Sequence, residues 1–357
     1  MKFVCFSSGS QPRYRDDIIR AMAMPDGAEL TFRYRLKYLG NSVQESVKSS
    51  RFKAGDDVLI TYVDQSDKTK ATVFIPVRYA SLIEVPEIGD FVVLRMRVGK
   101  LAYAKDLDVF NQDLRSQSAE VPEWKPTDTE YPTGRHWVEV ENYPKSVIAS
   151  TSVSDWQGIV TQLSKRIDFS TTGPFYRLSG VRRLPSGQPV TMADDSLSLA
   201  GGCDHELLID HYIPRPDPGK FQLEVQVSGR SVEFLSGAKL QLDSPYDRHW
   251  VRFRTLESLR DESVVFIILK KLPTHDASLE FNLPSIVKGK RRKAILIGTL
   301  VGVLLAAPQI AVLLSNPAFE TVSALRIVML AGFTLTSNIA AGVMASFNFR
   351  KPIGSGT

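Results

Sequence analysis

The chain has 357 residues, 43% of them hydrophobic and 23% charged, with a formal net charge of +5. That length suits two soluble domains and a further segment rather than one ordinary domain. Its two cysteines, Cys5 and Cys203, exclude a disulfide framework and a zinc cluster; both lie in strand-like surroundings that suit buried, reduced thiols.

The N-terminal stretch has an apolar run only from Phe3 to Phe6, shorter than the ~7–15 residues of a secretory core, so export is not expected. Residues 1–104 read as a β-rich α+β domain. Strands are expected at Lys2–Ser7, Glu29–Tyr38, Val58–Val63, Ala71–Tyr79 and Phe91–Val98, and helices at Asp16–Met24 and Asn41–Ser50. Gly55-Asp56 and Gly89-Asp90 mark turns. Regular βαβ alternation is missing, which argues against a doubly wound sheet. Ser7-Ser8-Gly9-Ser10 is the only loop resembling a phosphate cradle, and it lacks the lysine and spacing of a P-loop.

Residues 105–134 hold Pro122, Pro126 and Pro132 with little apolar periodicity and read as a linker. Residues 135–285 read as a second β-rich, sandwich-like domain. Its expected strands are Trp137–Val140, Phe175–Val181, Glu206–Ile213, Phe221–Val227, Trp250–Phe253 and Val264–Leu269; a helix is expected at Asp155–Ile167 with Ser154 as N-cap.

The remainder, 286–357, is a basic segment followed by a hairpin of two apolar helices, 294–314 and 322–347. Ala294–Leu314 contains no charge and at helical rise covers about 30 Å, the thickness of a bilayer core. Lys288, Lys290, Arg291, Arg292 and Lys293 precede it, Arg350 and Lys351 follow the second helix, and the turn carries only Glu320. The positive-inside rule then puts both termini in the cytoplasm, at an inner or plasma membrane if the cell is bacterial. Gly298 with Gly302, Ala341 with Ala345, and Gly342 with Ser346 repeat the small-xxx-small spacing that lets helices approach closely, within the hairpin or between copies.

Candidate chemistry is sparse. Arg33, Arg35 and Lys37 alternate with Phe32, Tyr34, Leu36 and Tyr38, while Arg95 and Arg97 alternate with Leu94, Met96 and Val98. If these strands are neighbours, five cations share one face and suit an anionic ligand; a solvated sheet face is the plainer alternative. Arg252 and Arg254 repeat the pattern opposite Val251 and Phe253. His205 and His211 share a strand face but lie about 20 Å apart, too far for one metal. Cys203 and His205 could pair as nucleophile and base, but no third group accompanies them. No catalytic residue, metal ligand or cofactor is expected.

The expected fold is therefore a mainly β (α+β) cytoplasmic region of two small domains followed by a transmembrane hairpin. The expected function is a membrane-anchored sensor or effector whose β-rich region binds an anionic ligand or protein partner and acts through an oligomerising hairpin. The alternatives are a scaffold with a passive anchor and, third, a tethered enzyme. The expected partners are the lipid bilayer, an anionic ligand, and a protein partner or further copies of the chain; nucleic acid is not expected. The layout is similar to that of bacterial membrane effectors that join a cytoplasmic sensing module to a few helices, a likeness of arrangement alone.

Overall fold

The computed structural model describes residues 1–8, 12–64, 71–122, 136–166, 169–170, 172, 174–193, 196–214, 221–258, 260–271, 279–315 and 324–348. The first part of the chain comprises β1 (Lys2–Ser8), α1 (Pro12–Ala23), β2 (Glu29–Arg35), α2 (Asn41–Lys48), β3 (Asp57–Asp64), β4 (Val73–Glu84), β5 (Glu87–Ile88), β6 (Phe91–Ala104), α3 (Leu107–Gln117), β7 (Trp137–Val140), β8 (Val147–Ser150) and α4 (Val153–Ser164). Its strands form one sheet in the order β2-β6-β4-β3-β1-β7, with β5 and β8 also paired to β6. β1 reads as an unbroken apolar run because both of its faces are covered. Phe3 and Cys5 join a buried cluster with Ile18 of α1 and Trp156 of α4, and Val4 and Phe6 join a second one with Phe110 and Leu114 of α3.

Several boundaries move from their sequence positions. α1 begins at Pro12 rather than Asp16, since proline suits a first helical turn. β2 stops at Arg35, where the Leu36 amide donates to the Asp90 carbonyl at 2.9 Å, and Leu36–Tyr38 closes as a single 3-10 turn. The span expected to be a linker contains α3; Asp106 caps it by accepting from the amides of Asp108 and Val109 at 2.9 and 3.1 Å. Residues 123–134 of that span lie outside the described residues. α4 is capped by Ser152, whose hydroxyl accepts from the Ser154 amide at 3.2 Å, and not by Ser154. β7 and β8 pair with β1 and β6, so the division drawn at residue 135 does not coincide with the division between sheets.

The next strands are β9 (Phe175–Arg183), β10 (Pro189–Val190), β11 (Met192–Ala193), β12 (Ser196–Ala200), β13 (Asp204–Tyr212), β14 (Phe221–Ser228), β15 (Val232–Ser236), β16 (Lys239–Leu242), β17 (Tyr246–Thr255), β18 (Glu262–Lys271) and β19 (Leu279–Lys288). They form two sheets, β10-β9-β13-β17-β15 and β11-β12-β19-β18-β14-β16. The two face one another through Phe253 and Phe266, whose ring centroids lie 4.9 Å apart. One continuous buried cluster runs from the first sheet through α1 and α4 into both of these sheets. Lys270, on β18, is buried and donates to the carbonyls of Thr172 and Pro174 at 2.8 and 3.2 Å.

Two helices close the chain, α5 (Arg291–Ser315) and α6 (Ala324–Asn348). Both are long and apolar enough to cross a membrane. Only 17% and 6% of their most apolar windows are buried, the reverse of what a core hairpin of a soluble protein would show. Leu296, Leu304, Val312, Val328 and Phe333 all point outward. The helices meet through glycine. A side-chain carbon at Gly298 would lie 2.5 Å from the Val343 nitrogen, and one at Gly302 would lie 2.6 Å from the Asn338 carbonyl oxygen. The helix contact therefore uses Gly298, Gly302 and Gly342. Ala341 and Ala345 are exposed and do not take part, because they lie off the face that carries Gly342. Asn338 also donates to the Gln309 side-chain oxygen at 3.0 Å, bridging the helices.

Candidate functional site

Among the cations expected to bind an anion, Arg33, Arg35, Arg95 and Arg97 do share a face. β2 and β6 are antiparallel neighbours, with Thr31 opposite Arg95 and Glu29 opposite Arg97. Lys37 leaves that face because it sits in the 3-10 turn, its ammonium 4.9 Å from the Tyr38 ring. The charges are largely answered locally. Arg95 bonds Glu29 and Glu84, and these two hydrogen bonds raise its pKa. Arg33 and Arg35 lie 3.7 and 5.5 Å from the Phe91 ring. Arg95 thus has its own counterions, while Arg33 and Arg35 rest against an aromatic ring.

Arg252 and Arg254, which repeat the basic alternation in the sequence, belong to a second arrangement whose acidic partners come from β13. β13 carries Asp204, Glu206 and Asp210, and its neighbours β9 and β17 bring arginines into register beside them. Asp210 accepts from Arg177 at 3.0 Å and from Arg248 at 2.7 Å. Glu206 accepts from Arg182 at 2.8 Å and Arg252 at 2.7 Å, and Asp204 from Arg254 at 2.6 Å. Burial pushes the Asp210 carboxyl up, but the bonds from Arg248 and Arg177 more than reverse it and hold it below the usual range.

The near end of this ladder opens into a cleft of about 490 Å³ where the three sheets converge. Its wall is built by the Met24–Gly27 turn, Arg78 of β4, Leu101 of β6, Ser150 and Thr151 after β8, residues 177–181 of β9, and residues from β10 to β12. Arg78 sits in an apolar strand and is 3% exposed. It donates to the Gly99 carbonyl at 2.7 Å and to Asp26 at 2.6 Å, while Asp26 itself is 52% exposed. Burial lowers the Arg78 pKa to about 10, against the pull of Asp26, and the neighbouring Arg177 adds to the lowering. Arg177 bonds Asp210 through Nε alone and lies 5.3 Å from the Trp156 ring. No hydrogen bond joins its terminal nitrogens to a described residue. A signal for both arginines was present in the sequence: Arg78 interrupts the apolar run Val73–Val77 and Arg177 the run Phe175–Leu178, where a charge needs a partner.

The histidines and cysteines pack. His205 Nδ1 lies 3.1 Å from the Cys203 carbonyl oxygen and its ring stacks on Phe253, so the Cys203 thiol, directed at the Gly201 carbonyl, has no base beside it. His211 Nε2 donates to the Ser244 carbonyl at 2.8 Å, which leaves Nδ1 to accept from His249 Nε2 at 2.8 Å when both rings are neutral. Burial lowers the pKa of each ring. No group of three metal-ligating side chains occurs among the described residues. Gly9, Ser10, His275, Arg350 and Lys351 lie outside those residues.

The basic block before α5 divides. Lys290 pairs with Glu257 at 3.0 Å, and Lys288 with Asp261 at 3.8 Å. The Gly289 amide donates to Asp261 at 2.8 Å and the Lys290 amide to the Ser258 carbonyl at 2.9 Å. Two residues separate β19 from α5, and both are tied to the β17–β18 connection. Arg291, Arg292 and Lys293 open α5.

No protein-family model matches the chain, and no curated protein matches it. Solved structures similar to part of it include the CsuC–CsuE chaperone–tip adhesion subunit complex of Acinetobacter baumannii Csu pili, at 8% identity and TM-score 0.21, covering 26% of this chain and 48% of that one. Native alpha-2-macroglobulin of E. coli shows 19% identity and TM-score 0.22, over 32% of this chain and 7% of that one. The VesB protease of Vibrio cholerae shows 9% identity and TM-score 0.22, over 66% and 89%. The chain thus spans less than half the length of the first two, and likenesses this small carry no functional conclusion. What stands is a mainly β chain, with three sheets among the described residues, followed by two helices apolar enough to cross a membrane.

Proposed function

We propose that the protein is a membrane-anchored sensor or effector, with its β-rich region and both termini in the cytoplasm. The β-rich region binds an anionic ligand or a protein partner, and the hairpin acts through self-association. The joint between β19 and α5 carries this reading. A passive anchor needs only a flexible tether, whereas here Lys288, Gly289 and Lys290 are held to Glu257, Ser258 and Asp261. Gly201 adds to the fit, since a side-chain carbon there would lie 2.6 Å from the Lys288 carbonyl oxygen. β12 contributes Leu197 to the cleft wall and pairs with β19 up to Lys288, so the cleft and the joint share one strand pair. A change in the sheet would reach the hairpin as a rigid displacement.

The test inserts a flexible glycine-serine segment between Lys290 and Arg291 in the full chain. Native-gel size and dye leakage from expressing cells are then compared with the unmodified protein. A sensor or effector oligomerises and permeabilises the membrane when intact and loses the second property on insertion. A monomer that never perturbs the membrane, or an insertion without effect, removes the reading in favour of a scaffold.

A further inference from the structure

We infer that the cleft between the sheets binds a small organic monoanion, a single oxyanion head on an apolar body, with Arg177 and Arg78 holding the head. This rests on the ligand-binding reading above and names its ligand class. The charged residues on the wall are Asp26, Arg78 and Arg177, two guanidiniums against one carboxylate. Counting Asp210 and Arg248 behind them leaves the same surplus of one positive charge. Both wall arginines are more than nine-tenths buried. Burying a guanidinium is costly unless its donors are answered. Arg177 lines the cleft; Asp210 answers it at Nε only, and its terminal nitrogens, which form the planar fork suited to an oxyanion, have no bond to a described residue.

The rest of the wall selects the body. Met24, Leu101, Leu178, Val190 and Met192 are apolar. Of the wall hydroxyls, Ser150 already donates to Asp155 and Ser179 to the Leu208 carbonyl, so neither offers its proton to a ligand. A dianion such as inorganic phosphate would exceed the charge surplus and leave the apolar wall uncovered. β10 pairs with β9 only at Val181 and Arg182, so among the described residues no strand covers the Arg177–Gly180 edge that borders the opening.

Phenylacetate is the probe, titrated calorimetrically into the full chain in lipid nanodiscs, with empty nanodiscs subtracted. Phenylacetate is expected to bind, and acetate (head without body) and phenylacetamide (body without charge) to bind roughly tenfold more weakly or worse. Arg177→Met and Thr191→Trp, the latter at an exposed lip of the cleft, should each weaken phenylacetate by roughly tenfold. Arg33→Gln, on the distant basic strand face, should leave it unchanged. The inference is overturned if phenylacetate fails to bind at roughly 10 mM, if neither cleft variant weakens it, or if inorganic phosphate competes equally well. Loss of binding here would leave the hairpin's membrane behaviour intact, and failure of the hairpin to enter a bilayer would show beforehand as chain left outside the nanodiscs, which is then titrated with phenylacetate in buffer alone.

Discussion

The three acids of β13 have the same chemistry and differ in depth, which lets burial be separated from pairing. The Asp210 side chain is 0% exposed and its partner Arg177 10%; Glu206 is 2% exposed between half-exposed arginines; Asp204 is 35% exposed beside Arg254. Asp210→Ala removes three hydrogen bonds, from Arg177 Nε and from Arg248 Nε and Nη2. It leaves a buried guanidinium uncompensated, which costs about 3–5 kcal/mol. Glu206→Ala frees two arginines that can turn to water, so the cost falls to about 1–3 kcal/mol. Asp204→Ala should be indistinguishable from an ordinary surface substitution, because solvent already screens that pair. Because bonding holds Asp210 below its ordinary pKa, its contribution is present above pH ~4 and is lost as pH falls through the folded value. The assay is chemical unfolding of the full chain in mild detergent, followed by tryptophan fluorescence; Trp156 and Trp250 lie against Arg177 and Arg182. Equal losses for Asp210→Ala and Asp204→Ala would refute the assignment of the ladder's strength to burial.

Further outcomes follow from other parts of the chain. Gly302→Ile should force α5 and α6 apart by about 1 Å and cost about 1–3 kcal/mol, read as slower disulfide formation between cysteines introduced across the hairpin; Ala341→Ile, on an exposed position, should leave that rate unchanged. Burial lowers Lys270 to about 7, so the unfolded chain holds more protons above that pH and stability should rise from pH ~7 to ~9; a pH series in which Lys270→Met keeps the same slope would contradict this. His136, among the rings of Tyr14, Tyr34 and Tyr38, is lowered to about 4 by burial. Stability should therefore fall as pH drops from ~6.5 towards ~4, and His136→Phe should move the acid unfolding midpoint downward; an unchanged midpoint would count against it.

Much of this fold is legible from residue patterns alone. Alternation in Arg252–Thr255 marks one buried face, and the unbroken Phe3–Phe6 run marks a strand covered on both sides. The long apolar runs of the hairpin helices are visible from composition, and the outward exposure of their leucines agrees with it. What was not legible depends on register. The alternation at Phe32–Tyr38 continues past the strand end, because only the Leu36–Asp90 hydrogen bond reveals that the chain turns there. α3 is polar enough to read as linker, and its helical state rests on the Asp106 cap and on Phe110 and Leu114 finding a sheet. The cleft unites Arg78 and Arg177, 99 positions apart in the sequence; each is readable as a misplaced charge, but nothing local says that they meet.

The central claim, that α5 and α6 hold the β-rich region at a bilayer, is tested most directly by washing membranes of cells expressing the full chain with alkaline carbonate and sedimenting them without detergent. The protein should stay in the pellet and be released only by detergent. Its appearance in the supernatant would mean that the outward-facing apolar surface of the hairpin is covered by something other than lipid.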